Sequence, residues 1–346
     1  MSRTEVSPPA VEGPPAAAPK LGIQRDGLWR NVGLLGVLVA LFAIGAGIRP
    51  DLYSDPDWVV NNMLVILTQA AAVGVITIGM TFVIIGGGID LSVGALIALS
   101  GVWATTVATQ SYGPGGMIFC ALAVGAVAGS INGLLVAYGR LVPFIATLAM
   151  LVAARGLAAQ ISGKQTQVSR DQFINGLATT RIAGVPMLVV IFVVAGILGW
   201  ILLNRTTFGR RTVAIGGNAE AARLAGINVK RHTLLLYALS GLCCGVAAIM
   251  LTSLATSSQA AAAELYELDA IAAAIIGGTL LTGGRGTIVG SMFGVIVFSA
   301  ITNLFAIANL PTEVQNMVKG GIIVLAVLIQ QFRFSSVSNL IRRRTP

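Results

Sequence analysis

The chain has 346 residues, of which 55% are hydrophobic and only 10% charged. A soluble domain averages roughly 25% charged residues, so a soluble globular fold is excluded. The formal net charge of +9 would suggest nucleic acid in a soluble protein. Here the cations sit between apolar runs, where they act as topology signals and contacts to anionic membrane lipid, and no nucleic-acid partner is expected.

Residues 1–29 are rich in Pro and Ala (Pro8, Pro9, Pro14, Pro15, Pro19) and lack the apolar stretch of a cleavable signal peptide. They read as a disordered cytoplasmic tail ahead of a transmembrane domain at 30–334, with a basic tail at 335–346. Apolar runs follow at about 31–48, 59–86, 92–110, 116–138, 143–161, 185–203, 233–254, 268–281, 287–308 and 317–332. They are continuous rather than alternating, which excludes a β-barrel. The expected fold is all-α: a polytopic helical membrane bundle of about ten segments, each needing about 20 apolar residues to span. The second run is long enough to be tilted or broken. The eighth, 268–281, is short and glycine-flanked, and either spans or re-enters.

Small residues recur at helix-packing spacing: Gly125, Gly129 and Gly133, then Gly241 with Gly245, then Gly290 with Gly294. Lipid supplies little hydrophobic force between helices, so close backbone approach must help hold the bundle. Two segments, Ile84-Ile85-Gly86-Gly87 and Ile275-Ile276-Gly277-Gly278, leave apolar runs in the same way, as paired interrupted spans do along a transport pathway. With the N-terminus inside, most Lys and Arg residues fall on the cytoplasmic side, and the acidic turn of Asp51, Asp55 and Asp57 falls outside. Both termini are then cytoplasmic.

No catalytic or metal site is expected. No Walker A lysine motif, HExxH or GxSxG occurs, and the only histidine, His232, ends a basic loop and reads as interfacial. Cys120, Cys243 and Cys244 all lie inside apolar runs, which implies neither a disulfide framework nor a zinc site. That loop, 204–232, is the most distinctive polar stretch. Asn218 is a good N-cap, Glu220 suits the first turn of a helix, the alanines favour helix, and Gly226 suits its end. So short a helix is unstable alone in water and needs a partner surface.

Glu220-Ala221-Ala222-x3-Gly226 resembles the first half of the EAA loop of bacterial ABC importer permeases. Gly87-Gly88-Ile89-Asp90-Leu91-Ser92-Val93-Gly94 is similar to the signature of the ribose-permease-like branch. So are Pro143-Phe144-Ile145-Ala146-Thr147-Leu148 with Arg155-Gly156, Ala214-Ile215-Gly216-Gly217-Asn218, and Tyr266-Glu267-Leu268-Asp269. Val142 stands where that branch often has Asn, which leaves the identity of the sugar open. The resemblance spans about residues 30–332 and implies an inner-membrane permease subunit importing a monosaccharide, pentose or hexose, by alternating access. It implies three partners: a cytoplasmic ABC ATPase, a periplasmic sugar-binding protein and a second permease copy. ATP would be hydrolysed by the ATPase, with no cofactor bound by this chain. The ATPase-coupling residues carried over are Asn218, Glu220, Ala221, Ala222, Arg223 and Gly226.

Charges inside a span are costly and need a role. Asp90, Arg155 and Asp269 are either structural, paired or capping a broken helix, or they line a polar passage. Arg285 and Lys319 read as snorkelling interface charges. The candidates for the solute path are Asp90, Ser92, Phe144, Thr147, Asn61 and Asp269. A proton- or sodium-coupled secondary transporter would use Asp90 or Asp269 instead, and would leave the EAA-like helix without a purpose.

Overall fold

The computed structural model of the protein describes residues 23–342. The expected N-terminal tail lies outside these residues up to position 22, but helix α1 (Ile23–Ile48) already begins within it. A turn, α2 (Pro50–Tyr53), leads to α3 (Pro56–Ile85), whose first turn is capped by the Asp55 side chain accepting from Asp57 N. At 30 residues α3 is about 45 Å long, more than the roughly 30 Å of a hydrocarbon core. The chain then breaks at residues 86–92 and resumes as α4 (Val93–Ala104), α5 (Val107–Gln110), α6 (Gly113–Ala137) and α7 (Pro143–Ser162). A short α8 (Gln172–Gly176) precedes α9 (Met187–Arg205). The basic loop holds α10 (Thr207–Gly217) and α11 (Ala219–Leu224). The remainder is α12 (Val229–Ala255), α13 (Tyr266–Ile276), α14 (Ile288–Ile307) and α15 (Thr312–Arg342). Strand is confined to two-residue pairs: Gln167–Val168 with Ser257–Ser258, and a hairpin of Arg181–Ile182 with Val185–Pro186.

The protein is thus a polytopic helical membrane protein, as expected, but with fewer full spans. Among the described residues, seven helices are long and apolar enough to cross a membrane: α1, α3, α6, α7, α9, α12 and α14. The apolar run at 92–110 contains only the 12-residue α4, and 268–281 only the 11-residue α13. At 1.5 Å per residue these are half-helices of about 18 and 16 Å. The last run merges into α15.

Glycine contacts hold the bundle together. Gly129 and Gly241 stand backbone to backbone where α6 crosses α12: a Cβ on either would come within 3.0 Å of the other's Cα. Gly290 and Gly294 bring α14 equally close to Gly277 and Ala273 of α13. All three glycine pairs read from spacing lie at such crossings. Polar clamps supplement them. Asn62 and Asn303 exchange two amide hydrogen bonds of 3.2 and 3.0 Å between α3 and α14. Thr81 Oγ1 donates to Ser291 Oγ at 2.8 Å across the same helices.

Candidate functional site

The two Ile-Ile-Gly-Gly segments end their helices identically. Gly87 and Gly278 adopt left-handed φ values of 85° and 84°. Gly88 N donates to Val83 O, and Thr279 N to Ala274 O, each at 2.9 Å. These are Schellman endings, which only glycine takes without strain. The likeness is local, because the long helix precedes the first break and follows the second.

The basic loop rests on these breaks. Thr206 caps α10 by accepting from Phe208 N and Gly209 N. Thr212 on its inner face bonds His232 Nε2 at 2.8 Å. Phe208 packs on the His232 ring at 4.5 Å and on Phe82 at 5.9 Å. His232, expected at the interface, is thus also an anchor buried within the protein (5% exposed). The C-terminal end of α10 reaches the end of α3 at one point. Gly216 lies so close to the Ile85 carbonyl that any Cβ there would overlap it. The same carbonyl accepts from Gly284 N at 2.8 Å. The last turn of α3, the α13–α14 connection and the α10–α11 corner thus share one backbone junction.

Helix α11 begins three residues beyond Gly216. Asn218 caps it, its side chain accepting from Ala221 N at 3.0 Å. Gly226 closes it with φ 82°, as Ile227 N bonds Ala222 O at 3.0 Å. Ala222 is buried (5%), while Ala219, Glu220, Ala221, Arg223, Leu224 and Ala225 are exposed. Arg223 chelates Glu220 with a shortest distance of 2.6 Å, holding the Glu220 carboxyl below its ordinary range. Both side chains are solvent-facing, so water screens this pair and it adds little to stability. The geometry presents a small, charged and largely alanine surface that the described residues of the chain leave uncovered.

The solute-path candidates do not converge. Asp90 is fully buried, and its Oδ1 accepts from Ser92 N (3.0 Å) and Ser92 Oγ (2.6 Å). Its Oδ2 accepts from Ser240 Oγ at 3.0 Å. Asn132 Nδ2 donates to Ser92 Oγ at 2.8 Å, and Tyr237 to Ile89 O at 3.3 Å. Asp90 and Ser92 thus fasten the start of α4 to α6 and α12. Thr147, also buried, lies beside this break but bonds back to Pro143 O at 2.9 Å. Asp269 pairs with Lys319 at 3.3 Å, and Lys319 stands 5.4 Å over Phe298. Lys319 is therefore a pairing charge and does not snorkel. Phe144 is 51% exposed on the outer face of α7. Asn61 alone lines a cavity, of about 540 Å³, with Thr68, Gln69 and Arg181. Arg155 pairs with neither aspartate; it donates to the Ala260 and Ala262 carbonyls, both at 2.6 Å. Reading the sequence missed Ser240 and Asn132, small polar residues among apolar neighbours. It also missed α10, although Phe208, Thr212 and Ile215 show helical spacing.

A glycine-packed bundle with two half-helices and an exposed loop helix defines a multi-pass helical membrane protein. The chain belongs to the family described as branched-chain amino acid transport system / permease component, which it matches over residues 62–327. It is 40% identical to a ribose import permease protein of Bacillus subtilis, over 89% of this chain and 95% of that one. It is 36% identical to the ribose import permease protein of Escherichia coli K12 (84% and 91%). A third relative, the L-arabinose ABC transporter permease protein of Azospirillum brasilense, is 34% identical (96% and 95%). No solved structure matches the chain.

Proposed function

We propose that this chain is the permease subunit of an ATP-driven importer in the bacterial inner membrane, and that its cargo is a monosaccharide. Its relatives transport ribose and L-arabinose, which supports the cargo class. A cytoplasmic ABC ATPase holds α11 through Glu220, Arg223 and the exposed alanines, and hydrolyses the ATP. A periplasmic sugar-binding protein delivers the solute to the opposite end, and a second copy of the permease completes the passage. The loop and both termini then face the cytoplasm, in keeping with the basic loop.

The observation that carries this reading is the backbone junction of Gly216, Ile85 and Gly284. Movement imposed on α11 cannot be absorbed by a flexible tether, since the corner before it is wedged against both helix breaks. A push on α11 therefore reaches α3 and α14 directly and biases a two-state bundle, as coupling between distant sites requires. The secondary-transporter reading is disfavoured: Asp90 is held by three hydrogen bonds and Asp269 by Lys319, and neither lines the cavity around Asn61. The test is Glu220→Lys, which reverses charge at an exposed position. The variant should reach the membrane in normal amount while sugar uptake and ATPase association are lost. Normal uptake by that variant would remove α11 from the mechanism.

A further inference from the structure

Helices α6 and α7 leave a groove between them on the outside of the bundle, with α4 beneath. It has a volume of about 330 Å³ and is lined by Leu99 and Trp103 of α4, Val127 and Ile131 of α6, and Met150 and Leu157 of α7, with alanines between them. One turn of a helix, 5.4 Å long and 10–12 Å across, fills about 500 Å³. The groove is therefore too small to seat a helix. Its size and apolar lining suit a flexible hydrocarbon chain.

The way the groove continues sets it apart from an ordinary lipid-facing surface. Val127, Ile131, Leu134 and Tyr138 are all exposed and recur every three or four residues, so they form one stripe along α6. The stripe runs from the groove to the end of the bundle that carries the basic loop. At 1.5 Å per residue, Tyr138 stands about 10 Å beyond Ile131 and about 16 Å beyond Val127. Half of a hydrocarbon core of roughly 30 Å is about 15 Å. A lipid whose headgroup lies level with Tyr138 thus reaches the groove with its acyl chain.

The charges at that level are positive. Lys230 Nζ stands 5.6 Å over the Tyr138 ring. Arg140 follows two residues on, with a left-handed φ of 57° that is uncommon for a residue with a Cβ. Both cations are exposed, and neither has an acidic partner among the described residues. The sequence from 91 to 170, which holds α4 to α7, contains no Asp or Glu, and α12 contains none either. Arg155, the other cation of α7, is turned to the Ala260 and Ala262 carbonyls. A second copy of the chain, laid on the stripe through these same helices, would set cation against cation and bring no acid. A lipid phosphate supplies the missing charge, and the Tyr138 hydroxyl adds a hydrogen bond to it.

We propose that this face binds one anionic glycerophospholipid, its acyl chain in the groove between α6 and α7 and its phosphate on Arg140 and Lys230. The site needs neither a particular cargo nor a motor, so it stands or falls apart from the importer reading. In the first test the whole permease, purified in mild detergent, is mixed with equal amounts of phosphatidylglycerol and phosphatidylcholine of the same acyl chains. Native mass spectrometry then counts the lipid retained. Phosphatidylglycerol should be preferred by roughly fivefold for each cation. Arg140→Gly suits the left-handed backbone, and Lys230→Gln keeps a good helix former at the start of α12. Together they should bring the ratio of the two lipids near one. Retention of neither lipid, equal retention of both by the unsubstituted chain, or a preference that survives in the double variant overturns the proposal.

A phosphatidylglycerol with a diazirine midway along one acyl chain locates the tail. In membranes it should cross-link to α6 and α7 near Val127 and Ala153. Ala153→Trp, which fills the groove from an exposed position, should remove that cross-link. Where the Trp variant fails to fold, the charge variants decide the matter alone. Cross-linking spread evenly over the membrane-facing helices would mean boundary lipid only and overturns the site. No cross-link at the groove, with Ala153→Trp splitting the permease into single chains, would mean that a second copy covers this face and overturns it equally.

Discussion

Asp90 offers the sharpest test of how the broken span is held. Its carboxyl oxygens accept from Ser92 N, Ser92 Oγ and Ser240 Oγ, with no exposure to solvent. Asp90→Ala strands three donors in a region without water. A buried unpaired donor costs about 1–3 kcal/mol, which gives on the order of 3–9 kcal/mol for the three. Removing the carboxyl also removes its own burial cost, so the lower end of that range is expected. Asp90→Asn behaves differently. Its amide oxygen can accept both bonds from Ser92 while its NH2 donates to Ser240 Oγ, so a loss of about 1 kcal/mol is expected. Ser240→Ala should fall near that value too. Thermal unfolding of the purified permease in detergent, followed by size-exclusion chromatography, would rank the variants as wild type, then Asn and Ser240→Ala together, then Ala. Uptake by Asp90→Asn should persist. If Asp90→Ala were as stable as wild type, or Asp90→Asn as damaging as Asp90→Ala, the capping argument would be wrong.

Gly216→Ala places a methyl group against the Ile85 carbonyl and 2.6 Å from Gly284 N, an overpacking worth about 1–3 kcal/mol. The junction should open, and in reconstituted vesicles more ATP should be hydrolysed per sugar moved; an unchanged ratio would contradict the transmission route. For Asn62 and Asn303, a double-mutant cycle with leucine should give a coupling of about 0.6–1.7 kcal/mol, the range of interhelical polar pairs in membranes. A coupling near zero would mean that the reciprocal amide bonds do not hold α3 to α14.

Much of this was legible in the sequence because the rules involved are local. Asn218 and Gly226 bracket α11 as cap and stop, and the GxxxG spacings point to the crossings that the bundle uses. The half-helices were harder. An apolar run reports that a segment avoids water, but not whether it crosses the core or halts inside it. The run at 92–110, which holds the 12 residues of α4, therefore reads as a span, while the short, glycine-flanked run that holds the 11 residues of α13 reads as either spanning or re-entering. The intramembrane charges were harder still, since partners such as Ser240 for Asp90 lie 150 positions away. Lys319 was misread for the same reason: Asp269, 50 residues earlier, reaches it only through the packing of α13 on α15. Of the solute-path candidates, Asp90, Ser92, Thr147 and Asp269 hold hydrogen-bond or ion-pair partners within the chain, because a buried polar group must first satisfy its own hydrogen bonds.

Position 224 gives the most direct access to the account as a whole. Leu224 is 73% exposed on α11, facing away from the rest of the chain. With Leu224→Cys in the assembled transporter, a short bifunctional thiol reagent should join the permease to the ATPase subunit, and saturating nucleotide should change the yield. A membrane-impermeant thiol reagent added outside intact cells should leave Cys at position 224 unmodified. Modification from outside, or cross-linking to every neighbour except a nucleotide-binding protein, would contradict the assignment of α11 as the part that the motor moves.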